Sequence, residues 1–289
     1  MQCKAQFLER DKMKKIKRLF CVVLFTTLLI NSMTAFAQND ISSDFEVYQD
    51  TQSIIDKAME DKIIDDNFLA QFNTLFDDSN DFTSAEYNEL LVDSIAVTRE
   101  HKNANKQKLQ VALEEAESVE QNSPQRRTPI DAAKNAYNIG IALVSSRGCP
   151  MTGAYMIWAR DKNGQTCFSI NDDWAESCLV QDFRNTVTVQ FEEEILMTGK
   201  DYGVVDGSFE FTTDNSDLDH YVALHNVDYA VTFTKSGAGY KAVYQFYDVY
   251  DFKWDTFDSI EVEFGNNYCY AMQQLGLIKP FDIYISMTY

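Results

Sequence analysis

The sequence predicts an α+β protein, with a helical N-terminal part followed by a C-terminal domain whose sheet is mainly antiparallel. Apolar residues recur at helical spacing up to about residue 160, whereas apolar and polar residues alternate in segments after about residue 183. A polar break at 122–129 contains two prolines. We therefore expect a helical region at 38–121, a linker at 122–129 and an α+β domain at 130–289, with its strand-rich part at 183–289.

The N-terminal segment has the three parts of a secretory signal peptide. A basic head at 14–18 precedes an apolar run at 19–30, and the small residues of Ala35-Phe36-Ala37 suit a cleavage site. The apolar run is shorter than the ~20 residues that a membrane span needs. We expect residues 1–37 to be removed, with Met13 as an alternative start, and the mature protein to be periplasmic or extracellular without a stable membrane span. An uncleaved N-terminal anchor is the alternative.

The charge of the chain is strongly acidic, with 25 Lys and Arg against 45 Asp and Glu and a net charge of −20. Removal of residues 1–37 takes away seven basic and two acidic residues and leaves a net charge of −25. Such a surface repels nucleic acid, so no nucleic-acid partner is expected. The aromatic content of 13% is typical of an ordered core rather than of a disordered acidic chain.

The mature chain retains four of the six cysteines, namely Cys149, Cys167, Cys178 and Cys269. An even number of cysteines in an exported chain favours two disulfides, and three connectivities are open. The alternative is four buried free thiols. The spacings lack the C-x-x-C pairs that zinc sites use.

The N-terminal helices are predicted from apolar stripes and one capping signal. Thr83 and Glu86 match a capping box that precedes an apolar helix face. An earlier stripe recurs at helical spacing in Phe68, Leu69, Phe72, Leu75 and Phe76. The segment from His101 to Glu120 is mainly polar and predicts a solvent-exposed continuation of the helix, with His101 on the surface.

The C-terminal domain begins with helices and continues with strands. A helix is predicted from Ile130, followed by a turn at Gly148-Cys149-Pro150 and a short helix at 154–159. Strands are predicted where Val and Phe alternate with polar residues at 186–191, and on either side of the turn at 236–239. A helix at 267–275 that ends at Gly276 and a last strand at 281–287 complete the prediction.

The candidate site lies at the open end of the predicted hairpin. Asp248 falls on the strand face that otherwise looks like core, an inconsistency that often marks a site. A turn centred at Ala238 places Asp228 nearly opposite Asp248. Two facing acids repel unless a positive or protonated group lies between them.

Three interpretations of these acids are open. Asp248 and Asp251 can simply end the strand, a divalent cation can bind at Asp228 and Asp248, or His225 can form an acid–base pair with Asp248 or Asp251. On the catalytic interpretation, His225, Asp248 and Asp251 are the catalytic residues.

Three segments carry a resemblance to exported proteins: Tyr221–Tyr229, Asp248–Phe252 and Ala271–Phe281. Together they resemble the C-terminal signature of a broad set of uncharacterised exported bacterial proteins. The Asp-x-Tyr-Asp core at 248–251 also resembles that of colicin M-type toxins, which cleave the cell-wall precursor lipid II, and more loosely the aspartate-rich lipid II phosphatases among LXG effectors. In the colicin M type a His-Arg pair follows the motif, whereas Phe252-Lys253 follows it here.

The resemblance implies a cation-assisted hydrolase that acts on lipid II-like envelope material, in which Asp248 and Asp251 hold a cation or orient water. The alternative function is that of a non-catalytic secreted interaction or binding protein. The partner is then an envelope component or another protein.

Overall fold

The computed structural model describes residues 41–76, 82–121, 130–253 and 260–289. The predicted signal peptide at 1–37 and the predicted linker at 122–129 lie outside these ranges, so both stay predictions. The chain divides into two units, residues 1–53 and 54–289. The described part of the first unit is the beginning of one helix, and the remaining elements belong to the second unit.

The described helices fall into an N-terminal and a later group, as the sequence predicts. The first group comprises α1 (Ile41–Glu60), α2 (Asp66–Thr74) and α3 (Ser84–Gln121). The later helices lie between and around the strands: α4 (Ile130–Ser146), α5 (Pro150–Asp161), α6 (Asp173–Ser177), α7 (Gln181–Phe191), which continues as a π-helical turn (Glu192–Leu196), α8 (Leu218–Ala223) and α9 (Ile260–Gln274).

The described strands form one mixed sheet. They are β1 (Cys167–Ile170), β2 (Tyr202–Glu210), β3 (Asn226–Ser236), β4 (Gly239–Tyr250) and β5 (Phe281–Thr288). The spatial order is β1-β5-β4-β3-β2, and β1 pairs with β5 in parallel while the other pairs are antiparallel. The predicted α+β class with a mainly antiparallel sheet is therefore confirmed.

The hairpin of β3 and β4 has a different register from the predicted one. Ser236 pairs with Gly239, so the turn contains two residues, and Gly237 at its first position has a φ of 59°. This register pairs Asp228 with Tyr247 instead of Asp248. The prediction that the two acids face each other is wrong, because a shift of one residue moves a side chain to the other face of the sheet.

The sheet lies between two layers of helices. One face packs into the main core with α4 to α9, where Phe183 contacts the rings of Tyr229 and Phe246. The other face is covered by α2 and α3: Val243 belongs to one cluster with apolar side chains of these two helices, and Thr234 Oγ1 donates a hydrogen bond to the Leu75 carbonyl. Because helices pack on both faces, β3 and β4 are buried at most of their positions.

Helix α3 lies on the sheet through polar side chains, so the expected solvent-exposed helix beyond residue 100 is wrong in part. Ser94 and Thr98 hydrogen-bond to Thr232 and Tyr247, each over 3.1 Å. His101 is buried, and its ring stacks on that of Tyr247 at 5.2 Å. Small polar residues at helical spacing form no hydrophobic stripe, so the burial of this helix face could not be predicted from the spacing of apolar residues.

The predicted strand at 186–191 is helical and forms part of α7. Phe183 and Val187 are spaced by four and buried on one face. The Thr186 hydroxyl donates to the Asp182 carbonyl and the Thr188 hydroxyl to the Arg184 carbonyl, so both threonines are satisfied within the helix. The alternation of Val and Thr, which is typical of a strand, therefore occurs here within a helix.

The predicted disulfides are absent among the described cysteines, all four of which are free thiols. Cys149, Cys178 and Cys269 are buried, and Cys178 and Cys269 belong to the main core as small apolar side chains. Burial raises the pKa of the Cys167 thiol to about 11 and that of Cys269 to about 12. The thiols are therefore protonated at neutral pH and poorly reactive.

None of the helices in the described ranges combines the length and the apolar character that crossing a membrane requires.

Candidate functional site

A cavity of about 1080 Å³ opens where β3 begins and β4 ends. All four site residues predicted from the sequence line it: His225 and Asp228 at the start of β3, and Asp248 and Asp251 at the end of β4. Helices α4, α5, α8 and α9 supply most of the remaining wall, together with Lys108 of α3 and Ser208 of β2. The structure thus brings the four residues to one place, although the register differs from the predicted one.

The wall contributed by α4 is apolar and follows the helical repeat. Arg147, which also lines the cavity, comes directly after the helix, and the lining residues of the helix itself follow its repeat: Ala136, Tyr137, Ile139, Gly140, Leu143 and Val144. Ile139 is 69% exposed and Leu143 is 50% exposed, so apolar surface of this helix faces solvent at the cavity. A Cβ on Gly140 would have Met156 Cε, at 4.0 Å, as its nearest neighbour, so this glycine leaves open space.

A buried carboxylate fixes the position of α5 against α8. Both oxygens of Asp219 accept hydrogen bonds of 2.8 Å from the backbone N–H groups of Met151 and Thr152, and the Thr152 hydroxyl donates a third over 2.7 Å. These N–H groups lie in the first turn of α5, where a helix has no partners of its own for them. Asp219 therefore holds the two helices of the cavity wall together.

Asp228 is a charged member of the site. Ser208 Oγ donates to its Oδ1 over 2.7 Å, and Lys108 Nζ donates to its Oδ2 over 3.0 Å. Burial acts to raise the pKa of Asp228, but the hydrogen bonds from Ser208 and Lys108 and the charge of Lys108 outweigh burial and lower it. Asp228 is thus ionised and already paired.

The pKa of Asp248 is shifted in the opposite direction from that of Asp228. Burial of its carboxyl group raises its pKa well above the ordinary value, and the nearby charges of Asp251 and Asp228 act in the same direction. The hydrogen bond of 2.7 Å from the Val249 N–H to Oδ1 and the charge of Lys108 only partly oppose this. The cavity therefore contains a carboxyl group that favours its protonated form.

The remaining two predicted residues differ in exposure. The Asp251 side chain is 13% exposed, and its Oδ2 lies 3.3 Å from Lys253 Nζ. The His225 side chain is 48% exposed, and its Nε2 lies 4.0 Å from Glu210 Oε1. His225 has a φ of 44°, which is unusual for a residue with a side chain. The predicted acid–base pairing of His225 with Asp248 or Asp251 stays a prediction.

No group of three or more His, Cys, Asp or Glu side chains within the described ranges is arranged to hold a metal ion. Asp228 and Asp248 lie on opposite faces of the hairpin, and Lys108 already neutralises Asp228. The cation predicted at Asp228 and Asp248 therefore stays a prediction that this geometry does not favour.

Sequence reasoning missed the basic residues and the α4 wall of the site. Lys108 is 120 residues away from Asp228 along the chain, and nothing in its helix distinguishes it from other lysines. A helix was predicted from Ile130, but whether one of its faces lines a cavity depends on how the helix packs.

No family model matches the sequence, and no curated protein matches it. What the cavity can do has to follow from its own geometry.

Proposed function

We propose that this protein binds one small amphipathic molecule in the cavity. The observation that carries the proposal is the division of the lining into an apolar wall on α4 and α8 and a polar end at Asp248, Asp251 and Lys253. Ligand pockets typically occupy ~300–1,000 Å³ and combine apolar walls with a few polar groups, so a volume of about 1080 Å³ suits a small molecule at the upper end of that size range with an apolar body.

The polar end favours a ligand head group that accepts a hydrogen bond. Because burial raises the pKa of Asp248 well above its ordinary value, its carboxyl group favours the protonated form, which can donate a hydrogen bond to an oxygen of the ligand. Lys253, whose ammonium group lies 3.3 Å from Asp251 Oδ2, supplies a further hydrogen-bond donor at the same end. If the chain is exported as its N-terminus predicts, the molecule belongs to the cell envelope.

Fluorescence titration with N-phenyl-1-naphthylamine, a neutral apolar dye, tests the proposal. We expect saturable binding of about one dye per protein. Ile139→Asn, on the cavity wall, should weaken binding by about tenfold, since it removes apolar surface that a bound dye would cover. Ile157→Asn is the matched control, because Ile157 is exposed on α5 but lies outside the described cavity lining. Unsaturable binding, or equal losses in the two variants, would refute the proposal.

A second candidate function is hydrolysis of a polyprenyl-pyrophosphate lipid, the class that the Asp-x-Tyr-Asp resemblance suggests. The observation that favours it is the raised pKa of Asp248 in a cavity with an apolar wall. Protonated Asp248 would donate its proton to the leaving phosphate oxygen, and His225 or Asp251 would orient the attacking water.

Phosphate release from undecaprenyl pyrophosphate, measured with Mg²⁺, Ca²⁺ or Zn²⁺, tests this second function. Hydrolysis by the wild type that falls about 10²-fold or more in Asp248→Asn would support it, since general acid catalysis contributes 10²–10⁴-fold. Absence of release with every cation would leave ligand binding without catalysis as the function.

A further inference from the structure

Three side chains outside the cavity form a hydrogen-bonded Ser–His–Asp chain. His220 Nε2 lies 3.0 Å from Ser177 Oγ, and its Nδ1 lies 2.8 Å from Asp217 Oδ1. Ser177 ends α6, Asp217 is the N-cap of α8 and His220 lies in the first turn of α8. None of the three belongs to the described lining of the cavity, although Leu218 and Tyr221 of the same helix do.

The imidazole of His220 is fixed in place. Its ring is buried and stacks on Trp174, with centroids 4.4 Å apart and planes 14° apart, and on Phe211 at 5.5 Å and 26°. The aromatic rings hold the plane of the imidazole, and Asp217 and Ser177 hold its two nitrogens. A group held in one geometry by its surroundings is what acid–base chemistry needs.

The charge of Asp217 sets the tautomer of His220. Burial acts to raise the pKa of Asp217, but hydrogen bonds from the His220 N–H and ring outweigh burial and lower it. The ionised carboxylate accepts the proton on Nδ1, so the neutral ring has its lone pair on Nε2, directed at Ser177 Oγ. Ser177 is exposed, whereas His220 is buried behind it, so solvent-borne molecules reach the hydroxyl.

A purely structural role is the competing explanation. Asp217 also accepts a hydrogen bond from the His220 backbone N–H over 3.0 Å, which is an ordinary N-cap, and the Ser177 hydroxyl donates to the Trp174 carbonyl over 2.7 Å, so it has to rotate before it can donate to His220 Nε2. An N-cap, however, needs neither the contact of Asp217 with the ring nor a serine at the second ring nitrogen.

We infer that Ser177 is a nucleophile activated by His220 and Asp217, and that it cleaves carboxylic esters. Ser177 Oγ bonds to the ester carbonyl carbon as its proton moves to His220 Nε2. The carbon–oxygen bond to the alcohol then breaks, and the alcohol leaves with that proton. Water attacks the acyl-serine and gives a proton to His220, which returns it to Ser177 Oγ as the carboxylic acid leaves.

The test uses the whole protein, with diisopropyl fluorophosphate as a probe of serine reactivity and intact mass followed by peptide mapping as the readout. We expect one adduct, on Ser177, and none in Ser177→Ala, which should fold because Ser177 is exposed. Ser146 is the matched control, since it is also exposed and donates to the carbonyl three residues earlier, Leu143. Ser146→Ala should label like the wild type.

Two further variants test the roles of the other residues. His220→Gln should slow labelling by about 10²-fold or more, since general base catalysis contributes 10²–10⁴-fold. Asp217→Asn retains an N-cap residue for α8 and should also slow labelling, so it covers the case in which His220→Gln does not fold. The same order should hold for p-nitrophenyl acetate hydrolysis. Absence of an adduct on Ser177, equal labelling of Ser146, or an unchanged rate in Asp217→Asn would overturn the inference.

Discussion

Lys108 on α3 donates a hydrogen bond of 3.0 Å to Asp228 on β3, and the two residues are 120 positions apart in the chain. Because of this contact and that of Ser208, Asp228 is ionised, while Asp248 in the same cavity favours protonation. The two acids that the sequence pattern put in one site therefore have different roles. Asp228 ties α3 to the sheet, and Asp248 is the group available to a ligand.

Lys108→Met should lower the free energy of unfolding at pH 7 by about 1 kcal/mol, since the pair is partly exposed. The folded-state pKa of Asp228 is lowered, so its stabilisation is present above the unfolded pKa of ~3.9 and is lost as the pH falls through the folded value. The difference between variant and wild type should thus shrink in acid. Urea unfolding at several pH values measures it. Lys106→Met, exposed on the same helix, is the control; equal effects of the two substitutions would contradict the account.

Asp248→Asn should stabilise the protein at pH 7. The folded-state pKa of Asp248 is raised, so the folded protein loses stability, by up to ~1.4 kcal/mol per pH unit, as the pH rises from ~3.9 to the folded value. Asparagine avoids this cost and can still accept the Val249 N–H hydrogen bond. Urea unfolding should show a gain at pH 7 that disappears near pH 4. A loss of stability at pH 7 would show that Asp248 is charged and paired in the folded protein.

Much of the fold could be predicted from local patterns. The capping box is confirmed by hydrogen bonds of 2.8 Å from the Thr83 N–H to Glu86 and 3.3 Å from the Glu86 N–H to Thr83. The hairpin and β5 also lie where alternation placed them. The strand β1 has only four residues and pairs with the distant β5, so local sequence carries little signal for it.

The candidate site could be predicted as a set of residues but not in its geometry. Residues at the open end of a hairpin lie close together whatever its exact register, and all four predicted residues line one cavity. The length of the turn sets the register of the hairpin, and the register determines the face of the sheet on which each side chain lies. A shift of one residue from the predicted register places Asp228 and Asp248 on opposite faces. The buried His220 was not among the predicted site residues, because its partner at Nε2, Ser177, comes from another helix 43 residues earlier in the chain.

The four described cysteines should react as free thiols. After denaturation without reductant, the chain of residues 38–289 should show four groups that react with Ellman's reagent. Dithiothreitol should leave the free energy of unfolding unchanged, whereas loss of a native disulfide typically costs ~2–5 kcal/mol. Fewer than four reactive groups in the freshly purified protein would instead support the disulfides that the exported sequence favours.

His225 should tolerate glycine better than a β-branched residue. Its φ of 44° lies in the left-handed region, which costs a residue with a Cβ ~1–2 kcal/mol. His225→Gly should leave the free energy of unfolding unchanged or raise it slightly, and His225→Val should lower it by about 1 kcal/mol. Chemical denaturation of both variants measures this. Equal stabilities would mean that the backbone at this position relaxes.

The central claim is that the cavity beside Asp248 binds a ligand. The most direct test is a substitution that fills the cavity with a side chain of the protein itself. Gly140→Phe places a ring in the open space beside Met156, and Gly140→Ala adds only a methyl group at the same position. In titrations with N-phenyl-1-naphthylamine, we expect Gly140→Ala to bind about one dye with near wild-type affinity and Gly140→Phe to lose at least tenfold in affinity while remaining folded by circular dichroism. Unchanged binding by folded Gly140→Phe would contradict the claim.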